Sequence, residues 1–273
     1  MKVNLKIDPT AYLERNMAEL LKKKWVGSLF TVLWISDLLE KEEDRRQEAI
    51  EALKSLQMPE GGVKGTPDNT AFFIVALRKT RVPCEDKTVL GAANFMIKGQ
   101  RADGGWGPPD KSVTFITAWV LGALYHAKQL PENVLGRAVK FLQEAQNEDG
   151  GWTNFNVGGK GQSCHGITPS VLWDGCGICD IPSLRDSSMV KRAVNFILGL
   201  QKEDGGWADD NLVTRLSIGA LVAAGLKIRD EAVKKGVLWL VDHQNPDGSW
   251  GSDAWDTVAI LDRFQKLGVK WKR

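Results

Sequence analysis

Two kinds of apolar pattern alternate along the chain. In the segment 133–146, Val134, Ala138 and Phe141 recur at helical spacing on one face, and charged residues occupy the other. Such a stripe is typical of an amphipathic helix that covers a core. The segment 116–124 is instead apolar almost all round, which is typical of a buried helix. The alternation predicts pairs in which an amphipathic outer helix is followed by a buried inner one.

The outer helices end in a motif that recurs five times. Three residues after each glutamine there is an acid, and the next residue is glycine. In four copies a tryptophan stands two residues after that glycine. Such regularity predicts an architecture in which neighbouring units bury a continuous core. The glutamines are Gln57, Gln100, Gln146, Gln201 and Gln244, the acids are Glu60, Asp103, Asp149, Asp204 and Asp247, and the tryptophans are Trp106, Trp152, Trp207 and Trp250, with Val63 in the first copy.

A sixth helix pair is predicted before the first full copy, at 8–22 and 25–39, where Asp8 and Pro9 suit the start of a helix. Six pairs are enough to close a ring of inner helices inside a ring of outer ones, and closure removes exposed ends. We therefore predict an all-α fold, an α6/α6 barrel (toroid), with an open superhelix as the alternative. The predicted single domain, 1–273, has helix pairs at approximately 8–40, 43–80, 86–128, 132–180, 186–227 and 229–268.

The motif resembles the QW motif of terpenoid cyclases, and related repeats occur in the β-subunits of protein prenyltransferases. The third copy carries it as Arg137-Ala138, Phe141-Leu142, Gln146 and Asp149-Gly150-Gly151-Trp152. The resemblance covers roughly residues 40–265 and is strongest to the β domain of class II terpene cyclases such as squalene-hopene cyclase. It implies an α6/α6 barrel whose apolar central cavity holds an isoprenoid chain. It also implies that the glutamine, acid and tryptophan of each copy are structural ties, which excludes them from catalysis.

Composition and charge limit the classes of partner that the sequence predicts. The net charge is +2 and the basic runs are short, so no nucleic-acid partner is expected. No signal peptide and no transmembrane segment are predicted, although peripheral membrane contact is compatible with the sequence. Four cysteines in 273 residues do not form a disulfide scaffold, which favours a reducing, cytoplasmic location. Homo-oligomers and partner subunits are left open.

One irregular segment resembles a catalytic motif. Thr66-Pro67-Asp68-Asn69-Thr70-Ala71 resembles the DxDDTA motif of class II terpene cyclases, whose middle Asp protonates an alkene or epoxide. Only that middle acid is present, at Asp68, because Thr66 and Asn69 replace the other two. Asp68 is therefore the candidate acid and Asn69 a candidate hydrogen-bond donor to it. The alternative is that Asp68 only caps the helix predicted at Thr70.

A second acid lies at the start of the last inner helix. Trp255-Asp256-Thr257 resembles a cavity-lining segment of squalene-hopene cyclases. Asp256 is predicted either to orient a catalytic partner or to cap its helix.

A zinc site is the alternative chemistry. Cys164 and His165 stand at an inner-helix start, and Asp209 and Asp210 stand at the next one. Cys164, His165 and Asp210 would form a three-ligand zinc site with an open position. In protein prenyltransferases the corresponding pattern is Asp-x-Cys with a histidine on the next unit, and here Gln162 replaces that Asp. No other cofactor is expected. Cys176 and Cys179 are predicted at the other end of the barrel if 168–175 is helical.

Aromatic residues are concentrated on the inner helices. Aromatic faces stabilise cations, so a carbocation cyclase would use them as walls. The alternative is that half or more of them only pack between the two helix rings. The candidate substrate-binding aromatics are Phe30, Trp34, Phe72, Phe115, Trp119, Trp173 and Trp255.

The favoured function is a class II, protonation-initiated terpenoid cyclase-like isomerase that acts on a linear isoprenoid chain without a metal. A zinc-dependent enzyme, similar to a prenyltransferase or a cyclase, and a non-catalytic isoprenoid-binding or lipid-binding barrel are the alternatives. The partner in each isoprenoid case is a hydrophobic chain.

Overall fold

The computed structural model describes residues 1–40, 43–155, 158, 161–173, 175–251 and 253–271. Within these ranges the chain forms thirteen α-helices, one short 3-10 helix and a pair of two-residue strands. No helix in the described ranges is both long and apolar enough to cross a membrane. The helices are α1 (Thr10–Lys23), α2 (Val26–Leu39), α3 (Glu43–Ser55), α4 (Pro67–Lys79), α5 (Lys87–Lys98), α6 (Thr114–His126), α7 (Glu132–Ala145), α8 (Ile167–Leu172), α9 (Pro182–Arg185), α10 (Ser188–Gly199), α11 (Asn211–Ala223), α12 (Glu231–Asp242) and α13 (Ala254–Lys266), and the strands are β1 (Lys2–Val3) and β2 (Lys270–Trp271).

Six helices form a closed inner ring. In order, α2, α4, α6, α8, α11 and α13 each pack against the next, and α13 packs against α2. The inner helices are buried on nearly all sides; in α2 every residue except Asp37 and Leu39 is buried. The amphipathic helices α1, α3, α5, α7, α10 and α12 lie outside this ring. The predicted α/α barrel is confirmed, and the open superhelix is wrong.

The two ends of the chain close the ring. The Gln244 amide donates to the carbonyl oxygen of Ile7 at 2.8 Å, so the last motif is tied to the residues before α1. Strand β1 pairs in parallel with β2, and α1 packs against α13. Closure gives each unit two neighbours, so no apolar end has to be covered separately.

The repeated polar residues tie one unit to the next. Each motif glutamine donates from Nε2 to the glycine carbonyl four residues later, at 2.8–2.9 Å. The same nitrogen also donates, at 2.8–2.9 Å, to a carbonyl in the first turn of the following outer helix or, for Gln244, to Ile7 just before α1. Each motif tryptophan donates from its indole to a carbonyl ten residues earlier. The acids in the last four copies accept a backbone N–H two residues later. Since these groups are satisfied inside the frame, they hold helix ends together rather than face a ligand.

The glycine of the motif permits close approach between units. Gly104 has φ +90°, in the region that favours glycine, and a side chain there would overlap the carbonyl of Arg137 in α7. Gly150 stands in the same relation to Arg192 in α10. The spacing between neighbouring outer helices therefore depends on the absence of a side chain at these positions.

The fourth inner helix is shorter than predicted. Helix α8 ends at Leu172, so the helix over 168–175 on which the placement of Cys176 and Cys179 depended is not formed in full. Cys176 and Cys179 are buried. Cys176 lies in a turn, and its carbonyl packs so closely against Gly122, late in α6, that a side chain at Gly122 would overlap it. The glycine therefore allows the turn to approach α6.

Candidate functional site

The seven candidate aromatics converge on the axis of the barrel. Phe72 is at the centre, with its ring 4.7 Å from Trp119, 5.7 Å from Trp255 and 6.4 Å from Trp173. Phe115 joins the cluster through Trp119 at 4.7 Å. Most of these pairs are tilted or edge-to-face, as aromatic quadrupoles favour. The remaining members are Phe30 and Trp34, which contact Trp255 at 5.2 and 5.6 Å.

The cluster fills most of the barrel interior and leaves an open cavity at one mouth. Phe30 and Trp34 are almost fully buried, and the Lys79 ammonium covers Trp34 from the other end of the barrel at 4.7 Å. The remaining space, which we call the mouth cavity, has a volume of about 380 Å³. An apolar cavity of the kind implied by the family resemblance is therefore present at this mouth. The mouth cavity is lined by Trp25, Val26, Gly27, Asp68, Asn69, Phe72, Trp119, Ser170, Trp173, Leu212, Arg215, Leu216 and Trp255.

Asp68 lies in the first turn of α4 and lines this cavity. Pro67 occupies the first helical position and Thr66 the N-cap position, so the helix begins three residues earlier than the Thr70 start that the sequence suggested. Asp68 therefore does not cap the helix, although a carboxylate in the first turn is favoured by the helix dipole. Among the described residues, no hydrogen bond or ion pair to the Asp68 carboxylate is found. Its partly exposed side chain is available to a molecule in the cavity.

Asn69 is beside Asp68 but bonds elsewhere. Its amide donates to the Thr66 hydroxyl at 2.7 Å. The two residues that replace acids in the catalytic motif thus pair with each other. The expected hydrogen bond from Asn69 to Asp68 is not among the contacts of the described residues.

Asp256 belongs to a buried ion pair. Its carboxylate accepts a hydrogen bond from Arg215 of α11 at 2.9 Å, and the side chains are 15% and 4% exposed. Burial raises the pKa of Asp256, with the negative charges of Asp253 and Asp210 adding to the effect and Arg215 opposing it. Arg215 lines the mouth cavity whereas Asp256 does not. Asp256 therefore acts on the cavity only through Arg215, whose side chain it holds and whose charge it balances.

Arg215 was not among the site residues predicted from the sequence. Burial lowers the pKa of this guanidinium, which stays charged because arginine does not lose its proton in proteins. Its Nε has no hydrogen-bond partner within the described ranges. A single charged residue inside the otherwise apolar face of an inner helix is the signal that could have identified it.

These observations can be compared with known proteins. The family model described as the squalene-hopene cyclase C-terminal domain matches residues 26–165 and 183–263. The chain belongs to this family. The unmatched stretch between these segments contains α8 and the 3-10 helix Ile178–Asp180, where this family member departs from a regular helix pair.

Full-length relatives are considerably longer than this chain. The squalene-hopene cyclase of Schizosaccharomyces japonicus is 26% identical in an alignment of 239 residues that covers 74% of this chain and 36% of that protein. The squalene-hopene cyclase of Bradyrhizobium diazoefficiens is 28% identical over 233 residues, covering 67% of this chain and 33% of that protein. The chain therefore spans about a third of the length of these curated relatives.

A solved structure has the same fold. The type II terpene cyclase MstE from Scytonema superimposes with a TM-score of 0.61 at 15% identity, covering 90% of this chain and 88% of that chain. A variant of MstE was solved in complex with its substrate, geranylgeranyl dihydroxybenzoate. At this identity the likeness concerns the fold alone.

The residues of the zinc alternative do not converge. Cys164 and His165 are exposed, and Asp210 instead caps α11 by accepting the Val213 backbone N–H at 2.8 Å. Within the described residues there is no group of three or more His, Cys, Asp or Glu side chains that could hold a metal ion. Cys164, His165 and Asp210 are at neighbouring inner-helix starts as expected, but their side chains do not meet.

Proposed function

We propose that this family member is a class II, protonation-initiated terpenoid cyclase-like isomerase that acts on a linear isoprenoid chain, with Asp68 as general acid. The observation that carries this proposal is that Asp68 and five aromatic side chains line one cavity. A single proton donor beside cation-stabilising walls is the combination that carbocation cyclisation requires.

The proposed reaction begins at a terminal double bond of the chain. The acid form of Asp68 transfers its proton to the less substituted alkene carbon, leaving a tertiary carbocation at the other carbon. A neighbouring double bond attacks this cation and forms a ring. Water takes a proton from the last cation, and the Asp68 carboxylate regains a proton from solvent. The cyclic product has the same composition as the substrate, so the overall change is an isomerisation.

The aromatic walls have two tasks in this scheme. Phe72, Trp119, Trp173 and Trp255 present ring surfaces to the cavity, and such surfaces stabilise a cation by roughly 0.5–2 kcal/mol each. They also limit the access of water, which would otherwise capture the cation. The geranylgeranyl substrate of the structurally similar MstE supports an isoprenoid as the ligand class.

Asn69 and Asp256 have supporting roles in the proposal. Asn69 holds Thr66 and so shapes the turn that presents Asp68. Asp256 balances the positive charge of Arg215, which would otherwise repel a carbocation that forms in the mouth cavity. Neither residue transfers a proton in this scheme.

A non-catalytic isoprenoid-binding protein is the second candidate. It is favoured by the loss of two of the three acids of the motif, because Thr66 and Asn69 hydrogen-bond to each other instead of activating Asp68. This candidate keeps the mouth cavity and its aromatic walls but assigns no chemistry to Asp68.

The test compares wild type with Asp68→Asn. Both proteins are incubated with linear prenyl diphosphates and with squalene, and products are analysed by gas chromatography with mass spectrometry. Cyclic products from wild type and none from Asp68→Asn support the cyclase. Equal product from both proteins removes Asp68 as the acid. Binding of these chains without any product from wild type supports the binding protein.

A further inference from the structure

The loops between the motif and the inner helices differ in length. In each of the five units that carry the motif, the backbone N–H of the motif tryptophan, or of Val63 in the first unit, donates to the hydroxyl of the inner-helix threonine. The two residues are 7 apart in the first, fourth and fifth units, but 11 apart in the second and 16 apart in the third. The hydrogen bond is the same in all five, so the frame does not require the extra residues.

Described residues of both longer loops line one pocket. This lateral pocket has a volume of about 620 Å³ and lies between the first turn of α4, the end of α5 and the start of α6. Pro108, Pro109 and Lys111 come from the longer loop of the second unit, and Asn154 and Phe155 come from that of the third. Most of its lining is apolar, with Phe95, Trp106, Phe115 and Ile116 contributing the remaining large side chains.

Hydrogen bonds between the two longer loops hold the walls of the pocket in place. Val113 pairs with Phe155 as an antiparallel bridge. The fully buried Thr114 donates from its backbone to the Asn154 carbonyl at 2.9 Å and from its hydroxyl to the Thr153 carbonyl at 2.6 Å. The Lys111 ammonium lies 4.0 Å from the centre of the Phe155 ring, close enough for a cation–π contact. The lateral pocket is therefore a built site rather than a gap between loops.

The lateral pocket adjoins the mouth cavity at the candidate acid. Asp68 lines both spaces, so they meet at the first turn of α4. Phe115 lines the lateral pocket and packs on Trp119 of the mouth cavity with ring centroids 4.7 Å apart. An aromatic surface thus continues from one space to the other.

We propose that the lateral pocket binds the uncyclised part of a linear isoprenoid substrate while the reacting double bond lies in the mouth cavity beside Asp68. The inference rests on the proposed function and adds a second subsite to it. The mouth cavity, at about 380 Å³, is near the lower limit for a ligand pocket. The lateral pocket supplies the additional apolar surface that a longer chain needs, and it sets the chain length that the protein accepts.

The test measures binding of two probes, geraniol with two isoprene units and geranylgeraniol with four, by isothermal titration calorimetry. Ile116→Trp fills the lateral pocket from α6 without touching the mouth cavity. We expect it to weaken geranylgeraniol binding by about tenfold or more, because the far end of the longer chain loses its apolar burial, and to leave geraniol binding unchanged.

The matched control is Val213→Trp. Val213 also precedes an inner-helix threonine by one residue, but it lines neither the lateral pocket nor the mouth cavity. It should bind both probes as wild type does. If Ile116→Trp unfolds, Phe155→Ala removes a partly exposed wall residue outside the barrel core and should also weaken only the longer probe.

Three outcomes overturn the inference. In the first, the folded Ile116→Trp or Phe155→Ala variant binds geranylgeraniol with the affinity of wild type. In the second, the variant binds both probes more weakly by the same factor, and in the third, wild type does not bind geranylgeraniol more tightly than geraniol. Failure of the proposed function is distinct from these, since Asp68→Asn would then give the same product as wild type while the effect of Ile116→Trp on binding persisted.

Discussion

The first turns of α4 and α13 each carry an aspartate at the same mouth of the barrel, yet the two carboxyl groups have different surroundings. Asp68 is partly exposed to an apolar cavity, and no partner is found for it among the described residues. Asp256 has a side chain that is only 15% exposed, receives a hydrogen bond from Arg215 and lines no part of the mouth cavity. The contrast indicates that access to the cavity, rather than position at an inner-helix start, distinguishes a candidate proton donor from a structural acid.

The largest expected effect is on activity at Asp68. Asp68→Asn keeps the size of the side chain but removes the transferable proton, so product formation should fall by about a hundredfold to ten-thousandfold. Thermal unfolding should change little, since substitutions outside buried networks usually stay within ~0.5 kcal/mol. Product yield and unfolding curves of the same preparation measure both. A large loss of stability without loss of activity would reverse the roles of the two aspartates.

The next effect is on stability at Asp256. Asp256→Ala removes the hydrogen-bond acceptor of the buried Arg215 guanidinium, which should lower the free energy of unfolding by about 3–5 kcal/mol. The double variant Arg215→Met with Asp256→Ala should recover much of this loss, because it leaves no buried guanidinium without a partner. Urea denaturation of wild type, the single variants and the double variant measures the coupling. Additive losses would mean that the pair is not a unit.

The pH dependence of stability should differ in sign between Asp256 and a helix-capping acid. Burial raises the folded-state pKa of Asp256. The folded protein therefore holds this proton more tightly than the unfolded chain, and the contribution of Asp256 to stability is lost as pH rises through the raised pKa. The stability advantage of wild type over Asp256→Asn should widen as the solution is acidified from pH ~7 to ~4, as measured by urea denaturation.

Asp86 is the helix-capping acid in this comparison, and its pKa is shifted in the opposite direction. Burial acts to raise its pKa, but hydrogen bonds from Thr88 and Lys54 outweigh this and the pKa is lowered. The stability that Asp86 contributes is present above its unfolded pKa and is lost as pH falls through the lowered one. The advantage of wild type over Asp86→Asn should therefore shrink on acidification. Parallel trends for the two variants would contradict the assigned pKa directions.

The smallest effect is expected at a motif acid. Asp149 accepts the Gly151 backbone N–H at 2.9 Å and the Ser163 hydroxyl at 2.6 Å, and its side chain is exposed. Asp149→Ala should cost about 1–2 kcal/mol of stability, roughly 1 kcal/mol for each lost bond, and leave product formation per folded molecule unchanged. Activity and unfolding measured together test this. A loss of activity comparable to that of Asp68→Asn would end the distinction between motif acids and the candidate acid.

The sequence predicted more of the frame than of the site. The motif glutamines and tryptophans recur with one spacing because each makes the same two or three backbone contacts, so their pattern is visible in a single chain. The seven aromatics were also identifiable, since inner helices of a closed ring direct large apolar side chains to a common axis. Which of them face open space was not identifiable, because Phe30 and Trp34 have the same pattern as Trp255 but are buried beneath it.

The features that were missed depend on contacts between distant residues. The start of α4 at Pro67 could have been read from proline's preference for the first helical position. The early end of α8 depends instead on Gly122 of α6, which accepts the turn at Cys176 against its backbone. The pairing of Arg215 with Asp256 joins residues 41 apart. No local pattern specifies either contact.

The amino-acid sequence alone determined the all-α repeat, the closed number of helix pairs and the short list of irregular acids, because periodic burial and repeated backbone ties impose a regular spacing on the chain. The tertiary structure decided which carboxyl reaches a cavity, which one neutralises a buried arginine, and how two longer loops combine into the lateral pocket. These features depend on side chains from separate units meeting across the barrel mouth, and their distances are set by packing rather than by separation along the chain.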